Sequence, residues 1–274
     1  MLTRILVAVV ALPALLAVIF LAPLWAMGIV MAAISAGAAW ELMKCTQPGV
    51  KQGVRLIPVL TAALIPLLAS FGLELEHYMG ISFALFFVMF CVLMLTFRGG
   101  GTPMSYTVVA MAMLAGAIIP LFYASLVRLG ADGRGGPFVL LPFVAAFSSD
   151  SGAYFVGVAL GKHKLVPHLS PKKTVEGAVG GLACALLIML GYGWVLTRFG
   201  YTVNYLLLAV YGVVGSVVCQ LGDLSFSAIK RETGIKDYSH LIPGHGGMLD
   251  RFDSTVFTAP TMELLVLFLP AIFI

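Results

Sequence analysis

The chain has 274 residues, 61% of them hydrophobic and only 10% charged, with a formal net charge of +4. Soluble domains run at roughly 45–50% apolar and about 25% charged, so a water-soluble globule of this length is excluded, because it would have too little polar surface to cover it. The four cysteines, Cys45, Cys91, Cys184 and Cys219, form neither a CxxC pair nor a cysteine–histidine cluster at metal spacing, and are expected to be small apolar filler.

The apolar residues fall in blocks long enough to cross a bilayer, since about 20 helical residues at about 1.5 Å each span the hydrocarbon core. The blocks lack the alternation of barrel strands, and backbone groups in lipid must be bonded within their own segment, so helices are predicted. Nine spans are expected, at about 5–22, 25–42, 56–73, 80–97, 106–127, 137–157, 177–197, 204–222 and 255–273. The first is read as a retained helix and not a cleaved signal, and Pro23 predicts a tight hairpin between the first two. The Gly99-Gly100-Gly101 run has no following Gly-Lys-Ser/Thr and reads as a loop. The expected fold is therefore an all-α polytopic membrane helix bundle. It is taken as one membrane domain over 1–274, with an N-terminal helical part to residue 140 and a catalytic part from 141.

Lys and Arg tend to stay on the cytoplasmic side. With nine spans, Arg4, Lys44, Lys51, Arg55, Arg98, Lys162, Lys164, Lys172, Lys173, Lys230, Arg231, Lys236 and Arg251 fall on one side, and only Arg128, Arg134 and Arg198 on the other. The N-terminus is thus expected in the cytoplasm, together with two polar loops at about 158–176 and 223–254.

Asp150 follows Ser148 and Ser149 inside an apolar segment, and an acid placed there is a functional candidate. In the first polar loop Lys162, Lys164, Lys172 and Lys173 precede a single acid, Glu176. Topology and anionic lipid alone explain such lysines. Lys172 and Lys173 carry more, because Ser170-Pro171 fixes the chain before them and Thr174 to Gly177 opens the next helix, whose free N–H groups suit phosphate. The stretch from Asp223 to Asp253 crowds Lys230, Arg231, Lys236 and Arg251 against Glu232, Asp237, Asp250 and Asp253, with His240, His245, Gly246 and Gly247 among them. Asp223 and Asp250 lie at the ends of apolar runs. Brought together they would repel unless a cation sat between them, and Mg2+ takes one or two carboxylates with water and phosphate. The alternative is that each caps a helix or pairs with a neighbouring base. Glu263 is read as a helix-to-helix contact.

The segment 227–253 resembles the phosphatidate cytidylyltransferases, or CDP-diacylglycerol synthases. Ser227, Ile229, Lys230-Arg231, Lys236-Asp237, Ser239, Ile242-Pro243, His245-Gly246-Gly247, Met248, Asp250-Arg251, Phe252 and Asp253 fill every fixed place of that family's signature. Asp150-Ser151-Gly152-Ala153-Tyr154-Phe155 and Ser170-Pro171-Lys172-Lys173-Thr174 with Glu176-Gly177 look like further family blocks, with Ser151 where Thr is more usual. The resemblance implies that CTP and phosphatidic acid give CDP-diacylglycerol and pyrophosphate with Mg2+. It implies further that Asp223 and Asp250 are metal ligands and that the enzyme is a homodimer; the expected location is the inner membrane, with the site facing the cytoplasm as the Lys and Arg distribution indicates.

On that basis Asp223, Asp250, Lys230 and Lys236 are the expected catalytic residues. The expected metal set is Asp223, Asp250 and Asp253, holding Mg2+ alone or with a second cation. Asp150, Lys172, Lys173, Ser227, Arg231, His245, Gly246, Gly247 and Arg251 are expected to bind substrate, with His245 donating to a phosphate and the two glycines admitting close backbone approach. The bilayer would supply the lipid substrate, and no nucleic-acid partner is expected. The competing class is a transporter or channel, which predicts charges spread at mid-membrane on broken helices.

Overall fold

The computed structural model describes residues 13–97, 105–131, 133–239, 241 and 246–273. Residues 13–21 are helical. Eight α-helices follow as α1 Leu24–Thr46, α2 Gln52–Ala69, α3 Leu75–Phe97, α4 Tyr106–Met113, α5 Ile119–Leu129, α6 Gly136–Leu160, α7 Val175–Arg198 and α8 Tyr205–Glu232, and a ninth is α9 Leu249–Phe268. A π-helical turn, Leu114–Ile118, joins α4 to α5 into one rod. Among the described residues seven helical rods are long and apolar enough to cross a membrane: α1, α2, α3, α4 with α5, α6, α7 and α8. The protein is an all-α, multi-pass membrane bundle. The glycine run at 99–101 lies outside the described residues.

Several boundaries differ from the sequence reading. The polar segment expected as a loop over 223–254 is helical at both ends, because α8 continues to Glu232 and α9 starts at Leu249. Phe226 and Ile229 keep helical spacing past Asp223, and Phe226 is buried against Phe257 with ring centroids 5.9 Å apart. Lys230 and Arg231 then occupy the last turn of α8, where cations suit the helix dipole, and Gly234, at φ +71°, lets the chain leave. Segment 158–176 contains a two-stranded antiparallel hairpin, β1 Lys164–Val166 with β2 Ser170–Thr174, pairing Lys164 with Thr174 and Val166 with Ser170. The last span, expected to 273, ends at Phe268 just before Pro270, and β4 Ile272–Phe273 pairs instead with β3 Thr202–Val203.

The chain divides into two compact units, Met1–Gly135 with Thr233–Arg251 and Gly136–Glu232 with Phe252–Ile274. In the first, α1, α2 and α5 pack on one another around Met31, Leu42, Ile65, Tyr123 and Leu126. In the second, α6, α7 and α8 pack together. Lipid tails give no hydrophobic drive between helices, so the interface relies on close backbone approach and internal hydrogen bonds. Gly181 provides the first, since a Cβ there would lie 2.7 Å from the Ser149 carbonyl oxygen. Ser149 and Ser216 hydroxyls, 2.8 Å apart, provide the second, joined by the Gln220 amide, which donates to Ser216 Oγ at 3.2 Å and to the Ala178 carbonyl at 3.1 Å.

Candidate functional site

The second unit holds a cavity of about 370 Å3, lined by Asp150, Lys172, Lys173, Gln220 and Asp223 together with residues such as Tyr154 and Val158. Small-molecule sites commonly measure about 300–1,000 Å3. Tyr154 and Val158 are strongly exposed on α6, so the cavity lining includes part of an exposed apolar helix surface. Local structure accounts for this placement. Thr174 caps α7 by accepting from the Gly177 N–H at 3.1 Å, which sets Lys172 and Lys173 on the strand entering that helix. Glu176, in the first turn, ties the start of the hairpin by accepting from the backbone N–H of Lys162 at 3.1 Å and of His163 at 3.2 Å, and its other oxygen lies 2.6 Å from His163 Nδ1. The Val175 N–H donates to the His163 carbonyl at 2.9 Å, so two of the N–H groups expected to meet phosphate at this helix start are engaged within the protein.

Within the cavity lining Lys173 Nζ lies 2.5 Å from Asp223 Oδ2, with both side chains about a quarter exposed. Ser227 donates to Asp223 Oδ1 at 3.3 Å, one turn along α8. Asp150 accepts from the Ser254 hydroxyl at 3.2 Å and from the Cys219 thiol at 3.5 Å. Cys219 is thus both buried filler and a donor to this carboxylate. The Asp223 charge acts on both Asp150 and Asp253, and that of Lys230 acts on Asp253. Like charges gathered this way are unstable without positive charge among them. Arg231 Nε donates to the Leu169 carbonyl at 3.1 Å and ties the hairpin turn to the end of α8. The structure therefore brings together Asp150, Lys172, Lys173, Asp223, Ser227, Lys230, Arg231 and Asp253, all in the second unit.

Asp250, Gly246, Gly247, Lys236 and Arg251 belong to the first unit. Lys236 and Arg251 are exposed. His245 lies outside the described residues, as does His240. Asp250 Oδ2 accepts from the backbone N–H of Tyr238 at 2.7 Å and of Gly247 at 3.0 Å. Gly246 takes φ +85°, where a side chain is strained, and its Cβ would lie 3.0 Å from Asp250 Oδ2. The glycine pair, read from sequence as room for a phosphate, here gives room to carboxylates. Glu41 of α1 is the other one. Its carboxylate accepts from Ser239 Oγ at 2.5 Å and from the N–H groups of Met248 and Leu249 at 2.9 Å each. Sequence reasoning passed over Glu41, although the signal that marked Asp150, an acid inside an apolar span, applies equally to it.

Among the described residues no group of three or more His, Cys, Asp or Glu side chains stands close enough to hold a metal ion. Mg2+ asks for less, because it binds through one or two carboxylates and keeps water and phosphate for the rest of its shell. Asp223 fits that need by chemistry, with acid neighbours acting on it and a lysine ammonium already held against one of its oxygens.

The chain matches the model of the cytidylyltransferase family over residues 2–269. It is 42% identical over 130 residues to a phosphatidate cytidylyltransferase of Staphylococcus haemolyticus, a match covering 47% of this chain and 49% of that protein. It is 44% identical over 131 residues to one of Staphylococcus saprophyticus, with the same shares of each chain covered. The enzyme of that name in Staphylococcus aureus gives 42% over 130 residues, again 47% and 49%. The chain thus spans about half the length of the curated relatives it matches. The family match, by contrast, takes in both units and every site residue singled out above: the chain belongs to the cytidylyltransferase family.

Proposed function

We propose that this protein is a phosphatidate cytidylyltransferase, transferring CMP from CTP to phosphatidic acid with release of pyrophosphate. The observation that carries the reading is the cavity of the second unit, where Lys172, Lys173, Asp150 and Asp223 meet the exposed apolar side chains of Tyr154 and Val158. A site whose lining combines charged groups with an exposed apolar helix surface suits a phosphate headgroup whose acyl chains stay in lipid. The relatives' name supplies the substrate pair. Nothing in the family match favours the transporter alternative.

In the reaction a phosphatidate phosphate oxygen attacks the α-phosphorus of CTP, a new P–O bond forms, and the bond from that phosphorus to the bridging oxygen breaks. Phosphate monoesters have a second pKa of about 6, so the nucleophile is already anionic at neutral pH and needs no strong base. Charge is the obstacle, with two polyanions meeting and pyrophosphate leaving. Lys172 and Lys173 bind phosphate oxygens at the cavity, and Lys230 and Arg231 extend the positive charge along the end of α8. Asp223 would hold Mg2+ together with Asp150 or Asp253, and Asp250 is the further ligand that the resemblance implies. When bound, Mg2+ neutralises triphosphate charge and stabilises the leaving group. Lys173, ion-paired with Asp223, stands where its ammonium would also meet a phosphate oxygen. Lys236, Arg251, Ser227 and His245 keep their expected parts in substrate binding.

The reading includes the inner membrane, a site facing the cytoplasm and a homodimer. The one-sided distribution of Lys and Arg supports the orientation, and the resemblance supports the dimer. The test is Asp223→Asn in detergent-solubilised protein, followed by pyrophosphate release dependent on both CTP and phosphatidate. Activity is expected to fall by on the order of a hundredfold or more, in line with loss of a group that stabilises transition-state charge. Near-normal turnover at saturating Mg2+ would remove Asp223 from the mechanism.

A further inference from the structure

Glu41 and the described residues 238–239 and 247–249, between α8 and the start of α9, form a second polar cluster that lies wholly inside the first unit. The Glu41 side chain sits in the last two turns of an apolar helix and is 4% exposed. A carboxylate in such a place is costly unless hydrogen-bonded, and this one meets three donors, Ser239 Oγ and the N–H groups of Met248 and Leu249. Asp250 holds the same stretch from another direction, through the N–H groups of Tyr238 and Gly247. Gly247 thus bonds one carboxylate while its α-carbon faces the other, and a Cβ there would collide with the Glu41 carboxylate. Its φ is not in the left-handed region, so space and not backbone conformation calls for glycine.

We infer that Glu41 is a positioning residue for Ser239, Met248 and Leu249, fixing through them the carboxylate of Asp250. The inference deepens the proposed function and rests on it in one respect, that Asp250 serves the cation. The chemistry asks for a carboxylate. Both oxygens accept, and glutamine has one acceptor and one NH2 group, so in either orientation an N–H would face the N–H of Met248 or of Leu249. Groups that orient a metal ligand typically cost about 10–100-fold in metal affinity or activity when changed.

The experiment uses full-length protein in detergent and compares Glu41→Gln, Glu41→Ala, Gly247→Ala and the Glu41→Ala, Gly247→Ala double variant. One readout is the rate of tryptic cleavage after the exposed Lys236, without substrate; the other is the Mg2+ concentration giving half-maximal activity. Glu41→Gln, nearly isosteric and the variant most apt to fold, is expected to raise the Mg2+ requirement by about tenfold or more and to speed cleavage. Gly247→Ala is expected to do the same by forcing the carboxylate aside. The double variant, with that carboxylate gone, is expected to be no worse than Glu41→Ala alone, the non-additivity of groups in contact. Wild-type cleavage and Mg2+ requirement in Glu41→Gln, or additive losses in the double variant, would overturn the inference. Faster cleavage at an unchanged Mg2+ requirement would make Glu41 a purely structural anchor and also overturn it. A wild-type protein inactive toward CTP and phosphatidate would sink the proposed function alone, because the proteolysis comparison reads the anchoring without activity.

Discussion

Lys173 has two possible partners in this molecule, the Asp223 carboxylate it touches and the phosphate it is proposed to bind. Replacing it with methionine keeps the length of the side chain and removes the charge, leaving Asp223 beside Asp150 and Asp253 with less compensation. A hydrogen bond to a charged group is worth roughly 1.5–3 kcal/mol, so Lys173→Met is expected to raise the KM of a phosphate-bearing substrate by about tenfold to a hundredfold. Steady-state kinetics with CTP and phosphatidate varied in turn checks this, and unchanged values for both would contradict it. At this scale the site was legible where charge stands out against an apolar background. Asp150, Lys173 and Asp223 were identified that way, and the structure lines one cavity with them. The roles of Gly246 and Gly247 were not legible, because a glycine pair reads the same whether a ligand or the protein's own carboxylate comes close. Glu41 carries the same signal as Asp150, an acid inside an apolar span, but its partners are backbone N–H groups some 200 residues away, which no local pattern announces.

At the scale of elements, the second unit depends on how closely α6 and α7 approach and on how α7 begins. Gly181→Val would place a side chain against the Ser149 carbonyl oxygen and force the helices apart. Overpacking of this kind costs about 1–3 kcal/mol, so a lower unfolding temperature in detergent is expected, and a melt unchanged from wild type would contradict the packing described. Thr174→Ala removes the N-cap, worth about 1 kcal/mol, and frees the strand that carries Lys172 and Lys173. It is expected to lower thermal stability slightly and to raise substrate KM; an effect on neither would separate the hairpin from the site. The apolar blocks predicted most helices to within a few residues, because bilayer thickness dictates their length. The ends of α8 and α9 were missed because charged residues read as loop, although an amphipathic helix end projecting from the bilayer tolerates them. The hairpin at 164–174 was beyond reach, since two short polar strands carry no apolar alternation.

For the whole molecule the open matters are orientation and activity. Leu241 is exposed in the segment between α8 and α9, and a single cysteine there, in a background without the native four, reports its side of the membrane. An impermeant thiol reagent is expected to leave it unlabelled in intact cells and to label it in inside-out vesicles, whereas labelling of intact cells would place the segment outside. The central claim is the chemistry, and it is tested most directly by following the α-phosphate. Purified protein is incubated with CTP labelled at that phosphate, with Mg2+, and with phosphatidic acid or diacylglycerol. The account predicts label moving into the organic phase as CDP-diacylglycerol, one pyrophosphate per lipid formed, with phosphatidic acid and not with diacylglycerol. Label that stays in the aqueous phase with phosphatidic acid present would contradict it.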